Sequence, residues 1–198
     1  MENYLRAWIE IGWPIFLIFF VERLSVHFFL RTEAQCERVR ANKFLHPNSI
    51  SMYRYPMGFV SVLLYHNGFH YLGIWFFAFW MITDLTDGDI ARRCNLSTAR
   101  GESLDPLSDK LMYSPPLLYM AWKGILSPTA VGVFLVFDVI GQFSRLFIKR
   151  KAANLFGKAK TFLVVVLLFM ASMELMYGRL PHHHILYPLS LILSLIHI

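Results

Sequence analysis

The chain has 198 residues, of which 56% are hydrophobic, with 18 Phe and a mean hydropathy of +0.47. An ordinary soluble domain is about 45–50% apolar, so the composition argues against a soluble globular fold and for an integral membrane protein. The formal charge is +6, but the cations lie in short loops between apolar runs, which disfavours nucleic acid as a partner and favours anionic lipid.

The first apolar run, about 7–30, reads "AWIEIGWPIFLIFFVERLSVHFFL". It carries Glu10, Glu22 and Arg23, and is expected to lie partly in the membrane interface. The charged linker "RTEAQCERVRANKFLHP" follows, part of it expected to be helical. Pro47 marks a boundary, and Asn48 or Ser49 is a candidate cap for the next helix. Six further segments are expected at about 49–66, 69–92, 104–125, 128–149, 160–178 and 183–198. Each approaches the roughly 20 residues that cross a bilayer. Short loops between them, such as "HNGFH" and "KGILSP", favour antiparallel neighbours in a bundle. The fold class expected is all-α: a polytopic membrane bundle with six core transmembrane helices and an extra N-terminal helix. Residues 1–45 then form the N-terminal helix and basic linker, and 46–198 the membrane domain.

Basic residues crowd loops 31–48, 92–103 and 145–160, which hold thirteen Lys and Arg, against Arg6, Lys123 and Arg179 on the other side. The positive-inside rule places the crowded side in the cytoplasm. Cys36 and Cys94 lie far apart in basic loops, with no Cys-x-x-Cys pair, and are expected to be reduced. No small-residue cleavage site follows the first apolar run, so no signal peptide is expected. The closing "LSLILSLIHI" stops inside an apolar segment and its "SLIHI" resembles translated adapter sequence, so the natural C-terminus is expected to be missing or altered.

Chemistry concentrates on the crowded side, in "DLTDGDIARRCNLSTARGESLDPLSD" at 84–109. Asp84 and Asp87 are i and i+3 on a helix, with Gly88 and Ala91 on the same face. Asp105 and Asp109 are i and i+4 on the next. Two acidic faces can meet if the intervening linker turns back. Converging carboxylates beside hydrocarbon repel one another and are costly to desolvate, and a divalent cation removes that difficulty. All-oxygen ligation suits Mg²⁺, Mn²⁺ or Ca²⁺. Two such ions roughly 4 Å apart form a clamp for phosphoryl transfer. The plainer reading of each acid alone is a cap, with Asp105 as N-cap and Pro106 at the first helical position. Four acids flanked by glycines at one membrane face weigh against it.

The spacing Asp-x2-Asp-Gly-x2-Ala-Arg-x8-Gly-x3-Asp-x3-Asp resembles the signature of the CDP-alcohol phosphatidyltransferases, matched at Asp84, Asp87, Gly88, Ala91, Arg92, Gly101, Asp105 and Asp109. "LHPNSISMYR" resembles the Pro-Asn segment and following Arg that open the family's first membrane helix. "GKAKT" at 157–161 is similar to a stretch of the phosphatidylglycerophosphate synthase branch. The resemblance implies a six-helix domain, commonly a homodimer, in which Asp84, Asp87 and Asp105 bind divalent metal, Mg²⁺ or Mn²⁺, as two ions. Asp109 also meets the metal and is the general base. Asn48, Gly88, Arg92 and Thr98 match positions near the nucleotide of CDP-diacylglycerol, and Ala91 and Gly101 complete that set. The expected reaction moves a phosphatidyl group from the CDP-lipid to an alcohol, releasing CMP, at the cytoplasmic face of a bacterial inner membrane.

Arg145 interrupts the apolar run "GQFSRLFI", and with Arg150, Lys158 and Lys160 is a candidate binder of an acceptor phosphate. That favours glycerol 3-phosphate, with inositol phosphate, another phospholipid or an amino-alcohol as rivals. Asp138, in the same segment as Arg145, is a buried acid that can line the cavity. "PHHH" at 181–184 reads as an ordinary loop. A cation transporter is the alternative from another class, but predicts acids spread over several helices near the bilayer midplane. A CDP-lipid adaptor without turnover is disfavoured by the complete motif.

Overall fold

The computed structural model describes residues 2–147, 155–178, 185–186 and 188–190, with the side chains of 99–100, 102–104, 144–147 and 155–158 left out of that description. Helices succeed one another along the chain: α1 (Glu2–Ala7), a π-helical turn (Trp8–Gly12), α2 (Trp13–Phe29), α3 (Glu33–Ala41), α4 (Pro47–His66), α5 (His70–Arg93), α6 (Ala99–Trp122), α7 (Pro128–Phe147) and α8 (Leu155–Tyr177). There is no strand among the described residues. Two compact units result, Trp8–Met112 and Met1–Ala7 with Tyr113–Ile198.

Local chemistry sets the helix ends. Pro14 has no amide to offer the carbonyl four residues back, and the run expected as one helix at 7–30 opens into the π turn just before it. The amides of Arg31 and Thr32 donate to Gln35 Oε1 at the start of α3. The cap of α4 is His46, not Asn48 or Ser49. Its Nδ1 accepts from the Asn48 amide at 3.3 Å, and Pro47 takes the first helical position, where a missing N–H costs nothing. Nor does Asp105 cap α6: Thr98 stands there, its Oγ1 accepting from the Gly101 amide at 3.0 Å. The turn between α5 and α6 is therefore only Cys94–Thr98, and both acid pairs lie inside helices.

In the unit Trp8–Met112, α4 packs closely on both neighbours. A Cβ on Gly73 would lie 2.8 Å from the Ser61 carbonyl oxygen, and one on Gly58 would lie 2.1 Å from that of Met112. Only glycine allows such backbone approach. Ser108 Oγ also donates to the Ser51 carbonyl at 2.9 Å. At the other end α3 folds back to the turn after α5, where the Arg40 guanidinium donates to the Cys94 carbonyl at 2.9 Å. Val26, Leu30, Val39 and Ile90 bury around Cys36 and Cys94, which form a disulfide. This corrects the expectation of reduced thiols. Fifty-eight residues separate the two in sequence, but the fold brings their Cα atoms to 5.2 Å, within the range a disulfide needs.

The other unit buries Asp138 of α7, which accepts from the Tyr113 hydroxyl and pairs with the Lys160 ammonium. That ammonium also lies 4.7 Å above the Phe134 ring.

Among the described residues, Ala159–Tyr177 alone has by itself the length and mean hydropathy (1.9) of a membrane span, and Glu2–Phe29 with Glu33–Ala41 passes as a pair bent by 102°. Polar side chains such as Ser51 and Arg54 on α4 and Asp84 and Asp87 on α5 keep those helices short of the expected spans, and on α7 the apolar stretch Pro128–Phe143 is shorter than a span. The second half of 183–198 lies outside the described residues. Large apolar side chains nonetheless stay exposed, including Trp13, Phe16, Phe20, Phe143 and Phe162, which is how a lipid-facing surface looks.

Candidate active site

Three helices supply the site. Asp84 and Asp87 come from α5, Asp105 and Asp109 from α6, and Ser51 and Arg54, also i and i+3, from α4 between them. The Arg54 guanidinium is fully buried. Its Nη1 lies 2.7 Å from Asp84 Oδ1 and 3.1 Å from Asp109 Oδ1, and its Nη2 lies 3.0 Å from Asp87 Oδ2. Ser51 Oγ stands 2.8 Å from Asp87 Oδ2 and 2.9 Å from Asp105 Oδ1. One hydroxyl proton cannot serve both at once. The four carboxylates are thus gathered by two α4 side chains.

Burial is graded across the cluster. The Asp87 side chain is 3% exposed, that of Asp109 20% and that of Asp84 35%. The site is closed behind Arg54 and Asp87 and opens at Asp84. One guanidinium directly faces three carboxylates, so negative charge remains in excess around it. Such a buried group is held only by excellent pairing, and Arg provides it through its planar fork.

The donor set fits a hard divalent cation in kind, since every side-chain donor is oxygen. Among the described residues, however, no three of His, Cys, Asp or Glu stand close enough to share one ion. Arg54 holds the carboxylates at guanidinium spacing.

The remaining motif residues form two groups beside the cluster. Asn48 Nδ2 donates to Thr98 Oγ1 at 3.3 Å, and a Cβ on Gly101 would fall 2.7 Å from Asn48 Oδ1. Gly101 therefore keeps room for that amide. Arg92, on an exposed turn of α5, donates to Asp89 Oδ1 at 2.6 Å. Its guanidinium lies 3.5 Å from where a Cβ on Gly88 would be. Half-buried Ala91 adds only a methyl, and its carbonyl accepts from the Leu96 amide at 2.9 Å.

Of the acceptor candidates, Lys160 is engaged by Asp138. Arg145 and Lys158 sit on α7 and α8, but their side chains lie outside the description, and Arg150 lies outside the described residues altogether. Sequence reasoning matched Arg54 only as the arginine of the family's opening helix, and gave neither it nor Ser51 a role in the site. The available signal was a lone arginine in the apolar run "SMYRYPMGFV", since charges in such runs usually face an interior.

The family model for CDP-alcohol phosphatidyltransferase matches residues 44–196. The chain belongs to that family. Three relatives are similar over part of their length. The CDP-diacylglycerol–glycerol-3-phosphate 3-phosphatidyltransferase of Bacillus subtilis (strain 168) is 31% identical over 132 residues, 61% of this chain and 63% of the relative. The chloroplastic CDP-diacylglycerol–glycerol-3-phosphate 3-phosphatidyltransferase 1 of Oryza sativa subsp. japonica is 30% identical over 99 residues, 50% of this chain and 30% of the relative. A cardiolipin synthase (CMP-forming)/mitochondrial hydrolase fusion protein of Schizosaccharomyces pombe is 29% identical over 102 residues, 52% of this chain and 17% of the relative. The chain thus spans less than two thirds of these relatives' own length. No solved structure matches it.

Proposed function

We propose that this chain is a membrane phosphatidyltransferase that moves the phosphatidyl group of CDP-diacylglycerol to the hydroxyl of a polar alcohol. The observation that carries the reading is the convergence of Asp84, Asp87, Asp105 and Asp109 from two helices on Ser51 and Arg54. Structural ion pairing does not need four acids gathered on one arginine and one serine, but a site for a pyrophosphate and its counter-ions does.

Asp84, Asp87 and Asp105, with Asp109 beside them, are the residues that would hold Mg²⁺ or Mn²⁺, as two ions, once Arg54 gives up part of its contacts. Bound there, such ions neutralise pyrophosphate charge and make an alcohol more acidic. Asn48, Thr98 and Gly101 on one side, and Gly88, Ala91 and Arg92 on the other, leave space and donors for the nucleotide. Asp109 takes the proton of the acceptor hydroxyl as its oxygen attacks the β-phosphorus of the CDP-lipid. The bond from that phosphorus to the CMP phosphate breaks, and CMP leaves with its electron pair. The lipid tails stay in the bilayer, which accounts for an apolar surface around a charged site.

Glycerol 3-phosphate is the favoured acceptor. The cations Arg145, Arg150, Lys158 and Lys160 suit a phosphorylated alcohol, and two of the relatives carry that acceptor in their names. The cardiolipin synthase relative favours a lipid alcohol as second choice. The basic loops favour a cytoplasm-facing site in a bacterial inner membrane, and a homodimer follows from the family resemblance. Purified protein given radiolabelled CDP-diacylglycerol, Mn²⁺ or Mg²⁺ and a panel of glycerol 3-phosphate, phosphatidylglycerol, inositol phosphate and serine decides the acceptor by the lipid product. Glycerol 3-phosphate is expected to give the largest yield. A larger yield from another alcohol would overturn that choice.

A further inference from the structure

The segment before the family match reaches the site from behind. At about 100° per residue, Thr86 and Asp89 lie on the face of α5 roughly opposite Asp84 and Asp87. Two consecutive residues of α2 grip that face. Glu22 accepts from the Thr86 hydroxyl, and Arg23 Nη1 donates to Asp89 Oδ2 at 2.7 Å. Glu22 and Arg23 also hold each other through two contacts, at 2.6 and 2.8 Å. The other oxygen of Asp89 holds Arg92 at 2.6 Å. Both oxygens of one half-buried carboxylate are therefore committed, one to α2 and one to the arginine over Gly88.

We infer that Arg23 is a positioning residue for the CDP-lipid: it fixes the Asp89 carboxylate, and through it the place of the Arg92 guanidinium beside the nucleotide. Residue 23 lies outside the family match at 44–196, so the N-terminal helix serves the site as well as the membrane. Without Arg23 the Asp89 side chain is free to turn, and it carries Arg92 with it. Arg23 itself touches no substrate, so its loss raises the concentration of CDP-lipid needed and leaves the bond-breaking step alone.

The inference rests on the phosphatidyltransferase reading, and two readouts separate their failures. In steady-state CMP release, Arg23→Ala is expected to raise the KM for CDP-diacylglycerol roughly three- to tenfold, with kcat within about twofold and the acceptor KM unchanged. Arg23→Lys, which keeps the charge towards Asp89 but loses the fork towards Glu22, is expected to recover part of the loss. The double variant Arg23→Ala/Asp89→Ala is expected to be no worse than Asp89→Ala alone, because both act through one carboxylate. Equilibrium binding of free CDP to the same folded proteins is expected to weaken by a similar factor. Unchanged CDP affinity in Arg23→Ala, additive losses in the double variant, or a fall in kcat at constant KM overturns the role of Arg23. Wild type that binds CDP yet releases no CMP refutes the enzyme reading, and the CDP affinities of the variants still decide the role of Arg23. If Arg23→Ala does not fold, Arg23→Lys and Asp89→Ala carry the same comparison.

Discussion

Replacing Arg54 by methionine keeps most of the side-chain volume and removes the charge. In the structure that leaves Asp84, Asp87 and Asp109 facing one another with Asp87 almost wholly buried. Breaking a buried ion pair from one side costs about 3–5 kcal/mol, chiefly the penalty of the uncompensated partner. Whole domains are stable by only about 5–15 kcal/mol, so the loss is a large share. At about 2–4 °C per kcal/mol for a chain of this size, the midpoint should fall by roughly 6–20 °C. The assay is thermal unfolding of purified Arg54→Met and wild type in one detergent, each without divalent metal and with excess Mn²⁺. Metal-free Arg54→Met should melt far below wild type, and Mn²⁺ should raise it more than it raises wild type. Equal melting temperatures without metal would refute the claim that Arg54 holds the carboxylates together. A midpoint that Mn²⁺ leaves unmoved would refute a divalent site at this cluster.

Other consequences are accessible by similar means. Gly101→Ala puts a methyl 2.7 Å from Asn48 Oδ1; overpacking of this kind costs about 1–3 kcal/mol, and CDP binding should weaken by at least severalfold, measured by titration. Lys160→Met strips the ammonium from nearly buried Asp138, so the melting temperature should fall as well as the acceptor affinity; a change in acceptor KM alone would show that the Asp138 pair is not structural. The disulfide closes a loop of 58 residues, which in the chain-entropy account is worth about 4 kcal/mol. Reductant should therefore lower the melting temperature and expose Cys36 and Cys94 to maleimide. If neither happens, the cross-link does not staple α3 to the turn after α5.

Much of this fold was legible because the helices declare themselves by apolar length and punctuation. Segments 49–66, 69–92, 128–149 and 160–178 fall within a few residues of α4, α5, α7 and α8, bounded by Pro47, Gly68, Pro128 and Gly178. The start of α6 was missed because Pro106 reads as a first-turn residue, whereas the helix begins seven positions earlier under the Thr98 cap. Helical spacing placed each acid pair on a face, which is a local property. What brings the pairs to one point is α4, thirty residues or more upstream, and no periodicity links Ser51 or Arg54 to Asp87 and Asp105. The Cys36–Cys94 bond and the Arg23–Asp89 pair are hidden for the same reason: each is a long-range contact between segments that look independent. The disulfide also sits among the loops that the positive-inside rule puts in the cytoplasm, where thiols ordinarily stay reduced. Maleimide labelling of cells before lysis reads that redox state directly.

In the proposed reaction this carboxylate cluster carries phosphatidyl transfer with Asp109 as base. The most direct measurement is CMP release from CDP-diacylglycerol and glycerol 3-phosphate in the presence of Mn²⁺, by wild type and by Asp109→Asn, with CDP binding measured on both. Wild type should release CMP only when metal and acceptor are both present. Asp109→Asn should bind CDP but lose turnover by about 10²–10⁴-fold, the usual worth of a general base. Folded wild type that releases no CMP with any acceptor, or an Asp109→Asn variant that turns over like wild type, would contradict the account.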